Sequence, residues 1–171
     1  MVNTQSQPYQ IINTEDDFEI RLYPASIIST ISKNAKTYKE LAHTGFRKLA
    51  SYNFGSNLSN KSMTMTSPPR AGINDSLFSM SFVMTSNYSM EDLSNPNRMN
   101  FALQDANEAY VAAIRFGGYA GDDKIKKYAG ILESALREYG IEYDGNFRFL
   151  GYNPPYQFWG RQNDVIVSIN W

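Results

Sequence analysis

The sequence predicts an α+β fold in which one strand, strand, helix, strand, strand unit occurs twice. Three observations carry that expectation. Short segments alternate apolar and polar side chains at the period of a half-buried strand. Two longer segments repeat apolar residues three and four apart, the period of a helix. The helical patterns correspond at a constant offset, Tyr38 with Ile125 and Leu49 with Leu136, which is the mark of an internal duplication. One unit alone would leave the apolar side of a small sheet and one side of its helix in water. The two units are therefore expected to merge their sheets into a closed or nearly closed antiparallel barrel with two helices outside; a helix-flanked open sheet is the alternative.

Taken in order, the elements begin after a polar opening. DFEIRLY (Asp17 to Tyr23) alternates, Pro24 interrupts it, and ASIISTIS (Ala25 to Ser32) resumes with the β-branched residues of a strand, so these are read as adjacent strands. From Lys36 the period changes, and Tyr38, Leu41, Ala42, Gly45, Phe46 and Leu49 form one helical face, with His43 well off its centre. KSMTMT and LFSMSFVMT are two further strands around the turn-rich SPPRAGINDS, and SNYSMEDLSNPNR is an irregular link. NFALQ and AYVAAIRF open the second half. The glycines of FGGYAG permit a tight turn with Asp122 as the cap of a helix bearing Ile125, Tyr128, Ala129, Leu132, Leu136 and Tyr139, which Gly140 stops. FRFLGY and VIVSI close the chain.

With 171 residues, 42% of them hydrophobic, the chain has enough material for one domain over 1–171, with halves at about 17–87 and 100–171. Sixteen basic and 17 acidic residues give a net charge of -1 with no long charge run, which argues against a nucleic-acid surface. No apolar run reaches membrane-spanning length, and MVNTQSQPYQ lacks a secretory pattern, so a cytoplasmic protein is expected. The absence of cysteine rules out disulfides and thiol nucleophiles. Aromatic residues make up 14% of the chain, more than a small interior holds, so many are expected half exposed or lining a groove.

Five fragments in register, FEIRLYPA, KSMTMTSPP, SMSFVMTSNYSMEDLSNPN, FGGYAG and GYNPPYQFWGRQNDV, resemble the SOUL heme-binding protein family from about Phe18 to Ile169. The resemblance implies a distorted antiparallel barrel of eight strands with two flanking helices, built by duplication, and binding of heme or another tetrapyrrole. It implies no catalysis. In the heme-ligating member a histidine stands just before the tyrosine of the first strand, where this chain has Leu22; the only histidine here is His43. Where the family has a Met-Thr-x-Pro-Val run, this chain has Met65-Thr66-Ser67-Pro68-Pro69, and the second proline lacks the N–H that a ladder needs.

Relatives that bind without histidine ligation use the first helix and its adjoining face. On this chain that region offers His43, Phe46, Arg47 and Lys48, with Met63 and Met65 nearby in sequence. A porphyrin there would be held by apolar contact and by cations paired with its propionates. Each candidate also has a plainer reading: His43 as a polar helix residue, Arg47 and Lys48 as a solvated face, and the two methionines as core filler. The same parity puts Met63 and Met65 on one side of a strand, Met65 mainly for packing and Met63 at a groove border. Arg161 is read as fixing the crossing into the last strand through carboxylate or carbonyl hydrogen bonds, with Asp164 as the family's acid in shortened form. No residues are assigned to catalysis or to a metal: there is no G-x-S-x-G elbow, no HExxH and no histidine triad, and a meeting of Glu108 with Glu19 is nowhere encoded. Two other classes stay open. Duplicated barrels of this kind resemble the effector-binding domains of bacterial regulators, whose groove takes hydrophobic, often cationic compounds that tyrosines with Glu108 and Glu142 could attract. A protein-interaction role is the other, and the oligomeric state is not encoded.

Overall fold

A computed structural model describes residues 5–6, 8–33, 66–67, 70–72, 78–84, 101–152 and 158–171. The described strands are β1 (Gln5–Ser6), β2 (Gln10–Thr14), β3 (Glu19–Tyr23), β4 (Ser26–Lys33), β5 (Thr66–Ser67), β6 (Arg70–Gly72), β7 (Phe78–Val83), β8 (Phe101–Ala106), β9 (Ala109–Gly117), β10 (Tyr143–Gly151) and β11 (Gln162–Ile169). The described helix, α1, is Asp122–Glu138. The fold is thus α+β with mostly antiparallel strands. The chain forms two compact units, one of Met1–Gln7, Ala25–Ala71 and Asp75–Asn107, the other of Pro8–Pro24, Gly72–Asn74 and Glu108–Trp171.

In the second unit the strands run β2-β3-β9-β11-β10, every neighbour antiparallel. Ile20 pairs with Ala112, Ala113 with Ile166, and Leu150 with Asp164; a register shift between Asp144 and Arg148 bends β10. Residues directly opposite in such a ladder point to the same side. One face therefore carries Ile20, Ala112, Ile114, Phe116, Val165, Val167 and Phe149. This is the face α1 covers: Phe116 stacks on Tyr128 of α1 with ring centroids 4.2 Å apart, and Ile125, Ala129, Leu132, Ala135 and Leu136 are buried beneath the helix.

The turn from β9 into α1 is held by its own polar groups. Gly118 takes φ +82°, and Asn163 Nδ2 donates to the carbonyls of Phe116 and Gly118. Lys124 Nζ donates to the Gly117 carbonyl at 2.6 Å. Asp122 is not the cap as expected: Gly121 caps the helix, and Asp122 and Asp123 occupy the first turn, where negative charge complements the helix dipole. At the other end Gly140, φ +68°, donates to Arg137 O while Ile141 donates to Leu136 O, the paired bonds of a Schellman stop.

In the first unit β4 lies between β7 and β8, with β6 beyond β7, again antiparallel: Ile28 pairs with Val83 and with Gln104, and Arg70 with Ser81. Ile27, Ile28, Val83 and Met84 are buried. β1 and β5 form a short parallel pair.

Two expectations change. The segments read as adjacent strands, β3 and β4, do not pair, because their link is Pro24-Ala25 and neither residue favours the positive φ of a two-residue hairpin. β3 instead pairs with β2 and β9, and β4 with β7 and β8. Nor do the described strands close into the expected eight-stranded barrel, since the strand order has open ends at β2 and β8. The expected helix around Tyr38 to Leu49 lies outside the described residues.

Candidate functional site

The face of the second unit's sheet turned away from α1 is where ionisable chemistry gathers. Alternation along β3 places Glu19, Arg21 and Tyr23 on it; β9 contributes Val111, Ala113 and Arg115, β11 contributes Asp164, Ile166 and Ser168, and β10 contributes Arg148 and Leu150. Its apolar part is a buried cluster of Tyr23, Val111, Ala113, Leu150 and Ile166, with Tyr9 and Tyr152 packed against it.

At the centre is Asp164, fully buried. Its Oδ2 accepts from Arg21 Nη1 at 2.7 Å, from the Tyr152 hydroxyl at 2.7 Å and from Arg115 Nη2 at 3.2 Å, while Oδ1 accepts from Arg115 Nε at 2.9 Å. Arg21 is as deeply buried as its partner. Its Nε donates to Glu19 Oε2 at 3.0 Å, and its guanidinium lies 4.3 Å from the centre of the Tyr9 ring, a cation–π contact. Tyr9 leans in turn on Tyr23, 5.2 Å between ring centres. Arg115 is the exposed member, its side chain 43% accessible, and it reaches over the Tyr152 ring at 5.5 Å.

Burial alone would push the Asp164 carboxyl up, but the Arg115 hydrogen bonds, the Arg21 charge and the Tyr152 hydroxyl outweigh it and hold Asp164 below the ordinary carboxylate value. Burial opposes charge on Arg21 as well, yet Asp164 reverses the sign and fixes the guanidinium in its charged form. The Tyr152 phenol is pushed far above its usual range by burial and then by the Asp164 charge. Arg21, Arg115 and Asp164 are therefore held charged and Tyr152 neutral.

The site residues read from the sequence, His43, Phe46, Arg47, Met63 and Met65, all lie outside the described residues, as does Lys48. Leu22 is a half-buried β3 residue opposite Gln10 and Tyr110. Glu108 and Glu19 do not meet along the ladder: Glu19 pairs with Ala113, and Glu108 is five residues back along the chain from Ala113, about 17 Å away at strand spacing. Asp164 takes its hydrogen bonds from Arg21, Arg115 and Tyr152, while Arg161 lies over the Tyr119 ring at 5.5 Å. The expected surplus of surface aromatics is present in Tyr119, Tyr139, Phe158, Trp159 and Trp171, all exposed. Sequence reasoning missed the Arg21–Asp164–Arg115 set. Its one local signal is a charge standing at a strand parity otherwise filled by Tyr23, Val111, Ala113 and Ile166.

Among the described residues no three His, Cys, Asp or Glu side chains gather as a metal site, and no helix is long and apolar enough to cross a membrane. A family model described as SOUL heme-binding protein matches residues 4–168. The chain belongs to the SOUL heme-binding protein family. Among SOUL relatives, heme-binding protein 2 of Homo sapiens is 31% identical over 86% of this chain and 76% of its own length. Heme-binding protein 1 of Xenopus laevis is 28% identical over 86% of this chain and 81% of its own. Among solved structures the EcmrR C-terminal domain superposes on this SOUL chain with a TM-score of 0.69 at 9% identity, covering 95% of this chain and 98% of that one, a likeness of fold alone.

Proposed function

We propose that the protein binds heme or a related porphyrin in an apolar groove, without catalysing a reaction on it. Membership of a heme-binding family is the observation that carries this reading. His43, Phe46, Arg47, Met63 and Met65 are the proposed border of the groove, with Met65 chiefly packing and Arg47 facing a propionate. A bound heme supplies a flat apolar ring, anionic propionates and an iron open to ligation.

The described residues bear on which of these features the protein uses. Tyr152 gives its hydroxyl to Asp164 and resists deprotonation, so this tyrosine does not offer a phenolate to iron. Retention by ring burial and propionate pairing is the mode proposed, with no bond to iron required. The cation-groove alternative fits the described face less well, because Arg21, Arg115 and Arg148 outnumber Glu19 and Asp164 there. The same reading makes the chain one cytoplasmic domain duplicated from a β-β-α-β-β unit. Support comes from the two strand orders. β10-β11-β9-β3 in one unit matches β6-β7-β4-β8 in the other, strand for strand, each half lending its first strand to the other unit.

Titration of the purified protein with ferric heme, followed by absorption and tryptophan fluorescence, tests the reading. Saturable one-to-one binding is expected in the wild type and in His43→Ala, and with iron-free porphyrin as well. Loss of binding in a folded His43→Ala would replace ionic retention with ligation. No specific binding in the wild type would overturn the proposal in favour of another hydrophobic or cationic ligand.

A further inference from the structure

The end of the second unit's sheet where β9 turns into α1 carries three large rings in water. Tyr119 is 65% exposed, Phe158 78% and Trp159 77%. Phe158 and Trp159 are consecutive, and successive residues of a strand point to opposite faces, so two neighbours both exposed to this degree stand on a projecting turn. Glycines set both projections: Gly118 before Tyr119 takes φ +82°, and Gly160 after Trp159 takes φ +61°, conformations that other residues avoid. The two turns are held side by side. Gly117 pairs with Gln162, Asn163 Nδ2 donates to the Gly118 carbonyl at 2.9 Å, and the Arg161 guanidinium lies 5.5 Å from the centre of the Tyr119 ring.

The chemistry beside the rings says what they meet. Residues 151–162, GYNPPYQFWGRQ, contain one charge, Arg161, and no carboxylate. On the neighbouring turn Lys124 Nζ sits on the Gly117 carbonyl, and Lys126 and Lys127 are exposed on the next turn of α1, beyond Asp122 and Asp123. Cations placed one residue or one helical turn behind aromatic tips match the layering of a bilayer surface, where Trp and Tyr rest at headgroup level and Lys and Arg pair with anionic lipid. Protein hot spots, by contrast, are rings seated in matching pockets at the centre of a broad interface. Rings standing off a turn suit a phase that deforms around them. We infer that Tyr119, Phe158 and Trp159 enter the headgroup–acyl boundary of an anionic lipid bilayer, docking the protein peripherally through this end of the second unit. Because Gly118, Gly160 and Asn163 preset the turns, insertion has little chain to order. The docking requires no tetrapyrrole.

Flotation of the full chain with lipid vesicles tests this, using phosphatidylcholine alone and phosphatidylcholine mixed with phosphatidylserine. The chain has two tryptophans, so Trp171→Phe leaves Trp159 as the single indole reporter. Trp171→Phe should float with the mixed vesicles, release as salt rises, and shift its emission to the blue as the Trp159 indole leaves water. Phosphatidylcholine alone should hold it more weakly. Joint replacement Phe158→Ala and Trp159→Ala should weaken partitioning into the mixed vesicles by about tenfold or more, and Tyr119→Ala by less. The urea midpoint of the double variant should stay at the wild-type value, because both side chains are exposed in the free protein. The inference is overturned if the chain stays off the mixed vesicles, if the double variant floats like the wild type, or if Trp159 emission does not move on binding. It is overturned equally if phosphatidylserine makes no difference, or if light scattering shows that the rings join two copies of the chain and the double variant is a monomer. Ferric heme titration of the double variant, read by absorption, reads the tetrapyrrole proposal separately and should match the wild type.

Discussion

On the α1 side of the second unit's sheet, Ile114, Val165 and Val167 are buried by fit alone, under Leu132 and Leu136 of the helix. One residue away along the same strands, on the other side, Arg115 and Asp164 stand with Arg21 of β3 in a network where every Asp164 contact has a named donor. The two sides share one backbone and one register, so the contrast isolates the side chains. An apolar face degrades gradually, losing roughly the transfer and cavity energy of the atoms removed. An ionic face fails abruptly, because removing one partner strands the others without water.

The largest expected effect comes from breaking the ionic side at its centre. Asp164→Ala should lower stability by about 3–5 kcal/mol in urea unfolding, since it leaves Arg21 buried beside only a half-exposed Glu19. A loss below about 1 kcal/mol would mean that water or a rearranged Glu19 replaces the carboxylate, and the contrast between faces would collapse. The same group sets a pH dependence. Its folded pKa lies below its unfolded value of about 4, so its contribution is complete above that value and disappears as pH falls through the folded pKa. Wild type should therefore lose stability below about pH 4 more steeply than Asp164→Asn, and identical acid limbs would contradict the assignment.

On the apolar side Leu132→Ala should cost about 3 kcal/mol, with no change in the acid limb, because Leu132 is fully buried and carries no charge. The smallest expected effect sharpens the comparison: Tyr152→Phe removes one hydrogen bond to a charged acceptor that keeps three others, and should cost about 1–2 kcal/mol. If it equalled Asp164→Ala, the network would depend on the phenol rather than on the two guanidiniums.

Periodicity made several elements legible. β3, β4, β7, β9, β11 and α1 follow from strand alternation and helical spacing, and Gly140 ends α1 where a glycine stop was expected. β2 escaped because QIINT, an exposed edge strand with two adjacent isoleucines, lacks the alternation of a half-buried one. The helix cap moved by one residue because Gly121, with no side chain to signal it, takes the extended geometry that Asp122 was expected to adopt. Asp164 was noticed beside Arg161, but its real partners lie far away in sequence at Arg21 and Arg115, and no spacing rule joins charges on three strands.

The pairing of β3 with β9 and of β4 with β8 fixes a timetable for a chain made from its N-terminus. Ile20 must wait for Ala112, and Ile28 for Gln104, across close to half of the polypeptide, whereas β2 with β3 and β10 with β11 are joined locally. Contacts of such span slow the search for the native state. Until β9 emerges, one edge of β3 presents open backbone donors and acceptors, the kind of edge on which neighbouring chains nucleate aggregation. Arg21, waiting on that strand for Asp164, keeps a charge in water at the exposed edge during that interval, and so the residue that later locks the interior first serves as a guard against misassociation.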